Sequence, residues 1–489
     1  MTQPTDTIAQ DKRYVRKAAL TSVVGYGVKV ASPLLFFVVV RFYGAERLGI
    51  FAIAQAITLL GVRITLMGLH RSMLWWIPRP EYQEKRQGPV GSMLIIAAFN
   101  LIYLSLMLSL GAKPIAAFSG IPEAEDTLRI MAVATMPLAF IEFLCCTLTA
   151  HRQLIPQIIV NEGLIPIIHA GLAILFFFTG AQSQGLFIAF AASAYINLLI
   201  VLGFAVHTFQ RQGWPRWQRR MPTELLRYTW PQWVSEMNYI LISRLDVYAL
   251  GQLTDPATTG IYAAALRVAN VIRSVRQSLS PMALAIFSES HASQDTERMR
   301  SVFSETVATV LFIQAPVFLF IINFSPWILK LFGPEFERGV WSLTLLSWAW
   351  MINGIAGLND AVIMGASRSF LGMLNNLATL AIQALLLWVL IPWLGIEGAA
   401  LAVGASFAAV GIMQLVQARR LYATNLYSRQ AIGLIGLVFS LQLLSTVARF
   451  KLIPPDALEM TALAFIAEIS LGALLWRWIR NPSQQSHHA

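Results

Sequence analysis

The sequence predicts an all-α integral membrane protein with about fourteen transmembrane helices. Three observations carry this. The 489 residues are 56% hydrophobic and only 12% charged, and a soluble globular chain carries about twice that charge fraction. Mean hydropathy is +0.62, and apolar runs of about 18 residues or more recur along the whole length, each long enough to span a bilayer as a helix. The roughly ten-residue dyad alternation of a membrane β-barrel is missing.

The first apolar run follows the basic stretch Lys12, Arg13, Arg16 and Lys17. It extends about 23 residues, beyond a signal-peptide core, and no small-residue cleavage site follows, so 18–40 reads as a retained first helix. Further spans are expected at 48–70, 89–110, 127–150, 155–178 and 184–207. A second series falls at 227–250, 258–283, 302–323, 339–365, 371–392 and 395–416, and a final pair at 431–449 and 457–479. The chain then divides into a tail (1–17), a first six-helix bundle (18–207), a linker (208–226), a second six-helix bundle (227–416), a loop with a C-terminal helix pair (417–480), and a tail (481–489). Pro33, Pro137, Pro166, Pro231 and Pro316 fall inside spans, where neighbouring helices resatisfy the backbone.

An even number of spans puts both termini on one side. Lys and Arg favour that side by about 21 to about 7, which makes it cytoplasmic. The net charge of +11, which would suggest nucleic acid in a soluble protein, is thereby explained, and no nucleic-acid partner is expected. Tyr14, Tyr26, Trp75, Trp76, Trp214, Trp217, Trp230, Trp233, Trp476 and Trp478 lie near the cytoplasmic helix ends as an interfacial belt. No loop exceeds about 20 residues, too short to fold as a separate catalytic domain. Catalytic signatures, Walker loops and cysteine–histidine metal spacings are missing, so neither enzyme chemistry nor a metal or other cofactor is expected. Cys145 and Cys146 are adjacent, which suits packing and not a loop-spanning disulfide.

The chain also repeats itself. Gly49-Ile50-Phe51-Ala52 matches Gly260-Ile261-Tyr262-Ala263, Arg152 matches Arg368, and Gly185 matches Gly398. The offsets, about 211, about 216 and about 213 residues, imply two parallel bundles around a central cavity, with the last two helices appended.

Lys29, Arg63, Arg244, Arg267, Arg273 and Arg276 fall inside these apolar runs. A cation at mid-bilayer costs about 2.5–3.5 kcal/mol, and six facing lipid about 15–20 kcal/mol, more than the ~5–15 kcal/mol that holds a typical fold. They are therefore expected to line an interior that is wet or filled by an anion. Lys29 and Arg244 sit about one helical turn apart in depth on equivalent helices. On the eighth helix Arg273, Arg276 and Gln277 share a face, with Arg267 about 120° from Arg273. Arg63 and His70, seven residues apart, share another face, and His70 with Arg71 reads as an interfacial anchor. The alternative for these cations is internal pairing, such as Arg244 with Asp246 or Glu236, or snorkelling of Arg273 and Arg276. The buried acids Glu142, Glu162, Asp246, Asp360 and Glu468 either neutralise the cations or bind a coupling proton or sodium ion, with Glu142, Asp246 and Asp360 as the coupling candidates.

Arg244-Leu-Asp-Val-Tyr-Ala-Leu-Gly251 and Gly260-Ile-Tyr-Ala-Ala-Ala-Leu-Arg267 resemble the seventh and eighth helices of Wzx-type polysaccharide flippases. So do Leu331-Phe-Gly333, Leu390-Ile-Pro-Trp-Leu-Gly395 and Gly398-Ala-Ala-Leu. These flippases belong to the multidrug/oligosaccharidyl-lipid/polysaccharide (MOP) exporter superfamily. The resemblance covers about residues 15–430. It implies two six-helix bundles around a V-shaped cavity in a bacterial inner membrane. It implies flipping of a polyprenyl-pyrophosphate-linked oligosaccharide to the outer leaflet for O-antigen, capsule or exopolysaccharide synthesis. The implied partners are that lipid-linked oligosaccharide, membrane lipid, and the polymerase and chain-length components of the assembly system. Rival readings are a lipid II flippase, whose typical first- and second-helix motifs are missing here, and a cation-coupled multidrug exporter, which usually has twelve helices and an acid-lined pocket. A membrane polysaccharide polymerase would need a long outer loop.

Overall fold

Gly44 takes a left-handed φ of 75 within the chain's first described helix. The computed structural model describes residue 37 and residues 39–480, apart from 78–87, 119–123, 152, 154–155, 182–183, 216–219, 293, 295, 367, 423–425 and 452–456. Lys29, Pro33, Tyr14, Tyr26, Arg152 and Trp217 lie outside the described residues, as do the side chains of Glu162, Trp476 and Trp478.

The described residues form helices throughout, with no strand among them. Each expected span from the second to the fourteenth has its helix. α1 (Val39–Leu66) contains the bend at Gly44, and left-handed Met67 and Gly68 lead into α2 (Leu69–Trp76). α3 (Gly88–Leu106) passes through a π-helical turn, Met107–Gly111, into α4 (Ala112–Phe118). α5 (Ala124–Ala132) and α6 (Thr135–Ala150) make up the fourth span. They break just ahead of Pro137, whose ring cannot sit against the preceding turn. A second π-helical stretch, Gln157–Leu164, precedes α7 (Ile165–Phe178), with Pro166 in the first turn where its missing N–H is harmless.

Long helices follow: α8 (Gly185–Gln212), α9 (Thr223–Leu253), α10 (Pro256–Ala292) and α11 (Thr296–Lys330). A 3-10 turn, Pro334–Gly339, leads into α12 (Val340–Gly365). α13 (Ser369–Tyr422) is two helices meeting at Gly395 (φ 57, ψ −129), three residues after Pro392. Proline interrupts the hydrogen-bond ladder there and glycine accepts the left-handed φ. α14 (Arg429–Lys451) and α15 (Leu458–Arg480) complete the chain.

Seven helices among the described residues are long and apolar enough to cross a membrane. α9 and α10 fall short of that apolarity because they carry the arginines. Polar side chains within the helices are kept from lipid while many long apolar ones face outward. Gln314, Asn359, Asn375, Gln383 and Gln442 are buried, whereas Leu101, Leu199, Leu385, Leu444 and Leu463 are exposed.

The chain divides into two compact units, Met1–Gly260 and Ile261–Ala489. In the first, Leu66, Met73, Trp76, Phe143, Leu144 and Val201 form part of one core. Trp76, expected in the interfacial belt, is fully buried. Its neighbour Trp75 stacks on Tyr228 with ring centroids 4.5 Å apart. In the second unit α12 packs along α13, and α11 packs on α12, α14 and α15.

The repeated glycines occupy matching tight places. A Cβ on Gly49 would lie 1.7 Å from the carbonyl oxygen of Pro256, and one on Gly260 would lie 1.9 Å from that of Ala45. The two motif glycines thus sit back to back where α1 meets the start of α10. Gly185 and Gly398 are crowded as well: a Cβ would lie 2.5 Å from Tyr43 Oη in one and 2.3 Å from the Leu390 carbonyl oxygen in the other.

Candidate functional site

Two groups of charged side chains lie within membrane helices, one in each unit. The first begins at Gly68. Its left-handed φ of 75 brings the junction of α1 and α2 against α9, where a Cβ would lie 2.8 Å from the Trp233 nitrogen. Ser72 and Thr229 share a hydroxyl–hydroxyl bond of 2.8 Å across this contact. The Trp233 indole N–H, expected at the interface, turns inward and donates to the Arg63 carbonyl at 3.2 Å.

This close approach assembles five charged or titratable groups from four helices. Arg63 of α1 donates from Nη1 to Glu142 Oε1 of α6 and lies 3.4 Å from Glu236 Oε2 of α9. Arg71 of α2 donates from Nε to Glu236 Oε1 at 3.0 Å. His70 Nε2 lies 3.4 Å from Arg63 Nη1, 3.8 Å from Glu142 and 3.9 Å from Glu236. Its side chain is 1% exposed, so His70 is a buried member of the cluster and not an interfacial anchor. Two guanidiniums face two carboxylates, and the group is formally neutral while His70 is uncharged. Glu236, one of the two acids expected as a partner for Arg244, pairs with Arg63 and Arg71.

Elsewhere on α9, Asp246 is buried at 3% exposure, and its Oδ1 accepts the Val247 backbone N–H at 2.9 Å. Arg244 is half-buried and lies near Tyr248, one turn further on.

The second group is more basic. α10 carries Arg267, Arg273 and Arg276, all half-buried. The Arg273 guanidinium lies over the Trp350 ring of α12 at 4.7 Å, a contact that desolvation strengthens. Arg276 reaches Ser280 Oγ at 3.4 Å and lies flat against Gly357, where a Cβ would come within 2.9 Å of its Cζ. Glycine at 357 is what leaves room for this side chain. Asp360, one turn along α12, feels the Arg276 charge and sits 3.5 Å from Gln414 Nε2 of α13. α10 thus carries three guanidiniums, two of them packed against α12, with Asp360 near Arg276.

Of the residues expected from sequence, the structure brings Arg63 and Glu142 together, and Arg276 near Asp360. His70, Glu236 and Trp350 complete these groups. The seven-residue spacing of Arg63 and His70 was the one local signal for any of them. Among the described residues no group of His, Cys, Asp and Glu fits a metal ion, and Cys145 and Cys146 are buried and free.

The family model described as "Polysaccharide biosynthesis protein" matches residues 38–340. The chain is 28% identical over 371 residues to the uncharacterized membrane protein YabM of Bacillus subtilis (strain 168), covering 70% of this chain and 68% of that protein. Among solved structures it is similar to the lipid II flippase MurJ in an inward closed conformation. The TM-score is 0.73 at 13% identity, over 96% of this chain and 99% of MurJ. It is also similar to an inward-facing MATE multidrug resistance transporter of the MOP superfamily, with a TM-score of 0.67 at 13% identity over 82% and 98% of the two chains. The fold is the one these transporters share.

Proposed function

The chain belongs to the polysaccharide biosynthesis protein family, and from that premise we propose that it flips a polyprenyl-pyrophosphate-linked oligosaccharide across a bacterial inner membrane. The observation that carries this reading is the concentration of guanidiniums on α10. Arg267, Arg273 and Arg276 lie in a membrane helix of a multi-pass protein whose fold is that of exporters. A diphosphate linked to sugars is the anion such forks suit, and the prenyl tail remains in lipid. Arg244, Arg63 and Lys29 contribute to head-group capture, Arg63 through release from its acid partners. Glu142, Asp246 and Asp360 are the carboxylates through which a proton or sodium gradient drives the cycle. The basic character of α10 opposes a cationic-drug substrate.

Replacing Arg267 tests the reading. In Arg267→Ala, polymer export is abolished while the protein level in the membrane holds. In Arg267→Lys, export recovers only partly, because the planar fork is lost. Undiminished export in Arg267→Ala would overturn it. The likeness to MurJ over 96% of the chain supports a second reading, a peptidoglycan precursor as cargo. Complementation separates the two: rescue of a strain lacking its lipid II flippase supports the second reading, and rescue of a strain lacking its polysaccharide flippase supports the first.

A further inference from the structure

α14 turns a polar stripe toward protein. Gln442 is 0%, Ser445 2% and Arg449 4% exposed, whereas Leu443 and Leu444 on the other face are 57% and 67% exposed. The polar stripe meets α11 and α15, and these three helices pack on one another. The contact is layered. Arg449 lies over the Trp327 ring of α11 at 5.1 Å. One turn away, Asn323 of α11 donates from Nδ2 to Ser445 Oγ at 3.2 Å and to Glu468 Oε2 of α15 at 2.8 Å. Ser445 also hydrogen-bonds the Glu468 carboxyl.

Glu468 therefore sits mid-helix among neutral amide and hydroxyl groups. Among the described residues no cation forms an ion pair with it. The charged groups on the packed elements are held elsewhere. Lys330 at the end of α11 pairs with Glu337 at 3.3 Å, Arg449 is seated on Trp327, Lys451 is exposed, and Glu459 lies in the first turn of α15. Glu468 is half-buried. An ionised carboxylate at membrane depth is costly where it has neither a counter-charge nor full hydration, and two neutral donors offset only part of that cost. An independent observation adjoins it. Gln442, one turn before Ser445 on the same buried face, has both side-chain polar atoms buried without a hydrogen-bond partner.

We propose that Glu468, with Asn323, Ser445 and Gln442, forms a proton-binding site within the α11–α14–α15 contact. A proton taken from solvent onto the carboxylate makes a neutral acid with one O–H to donate, and the Gln442 carbonyl on that buried face is an acceptor without a donor. Release of the proton to solvent restores the carboxylate. The site shares no residue with the groups around Arg63 and Arg276 and does not rest on the cargo reading.

Infrared difference spectroscopy of the full-length protein in lipid nanodiscs, titrated with acid in sodium-free buffer, tests this. A protonated-carboxyl C=O band should grow as pH falls and be lost in Glu468→Gln, which mimics the neutral acid and should accumulate normally in the membrane. Gln442→Leu and Ser445→Ala, which keep the acid, should each move the band's midpoint. Four outcomes would overturn the proposal. The band survives in Glu468→Gln. It does not change with pH while the protein stays folded. Its midpoint is the same in Ser445→Ala and Gln442→Leu as in the wild type. Or its midpoint moves in proportion to added sodium, which would make the site one for a metal cation.

Discussion

At the scale of residues, the first unit shows what a bilayer does to an arginine. Arg63 and Glu142 have side chains 17% and 22% exposed, and breaking such a pair from one side strands a charge where water cannot repay its hydration. Arg63→Ala would leave Glu142 without its principal partner and lower the amount of protein in the membrane. Combining Arg63→Met with Glu142→Gln removes both charges and should restore it, because an apolar replacement of a buried pair is often neutral or stabilising. Quantifying membrane protein in the single and double variants checks this. An abundant, folded Arg63→Ala protein would show that the pair is not structural. The pairing itself could not be read locally. Glu142 is 79 residues from Arg63, and Glu236 is 165 from Arg71.

At the scale of elements, the tight glycine contact between α1 and α10 sets a packing distance that no side chain fits. Gly49→Ala or Gly260→Ala must push a backbone carbonyl away, and overpacking of this kind costs about 1–3 kcal/mol or more. Thermal unfolding of the solubilised protein should show a clear loss for both. Gly171→Ala, which meets nothing within 4 Å, should show none. The start of α10 carries a second testable device. Asp255 caps the helix, with Thr258 N donating to its Oδ1 at 2.9 Å and Thr258 Oγ1 to its Oδ2 at 2.5 Å. Burial raises the Asp255 carboxyl, but these hydrogen bonds together outweigh that and hold it below its ordinary value of 3.8. A group whose folded pKa is lowered stabilises fully above its unfolded value and loses that contribution as pH falls through the folded one. Asp255→Ala should therefore cost about 0.5–2 kcal/mol near neutral pH. The gap from wild type should close in acid below about pH 3.8, as unfolding curves across pH would show.

At the scale of the whole molecule, orientation and energy source each give a direct test. The charge bias of the loops predicts that a cysteine at Gln212 is shielded from an impermeant reagent added outside intact cells, and that one at Thr254 is labelled. Cys145 and Cys146 are buried and should give little background. The reverse pattern would invert the topology. If a gradient drives flipping, vesicles with an imposed proton or sodium gradient should turn over faster than vesicles without one. Equal rates would leave Glu142, Asp246 and Asp360 as counter-charges only.

The sequence alone determined that a helix stands at each expected span from the second onward, but not where each begins or breaks. α1 starts at Val39 and not at 48, α10 runs on to Ala292, the chain breaks at Met67 and Gly68, and α9 and α11 continue through Pro231 and Pro316. The presence of a span is local information: a bilayer offers no hydrogen bonds, so every span must satisfy its own backbone and advertise itself by about 18 or more apolar residues. Pro137, read from the sequence as interrupting its span, follows the break between α5 and α6 in the same local way. Which charge meets which was decided only by tertiary structure. Arg63 with Glu142, Arg71 with Glu236, Arg273 over Trp350 and Glu468 beside Asn323 each join helices far apart in sequence. An ion pair or buried amide is fixed by where packed helix faces bring atoms within about 3 Å, and no periodicity along a single helix encodes that distance.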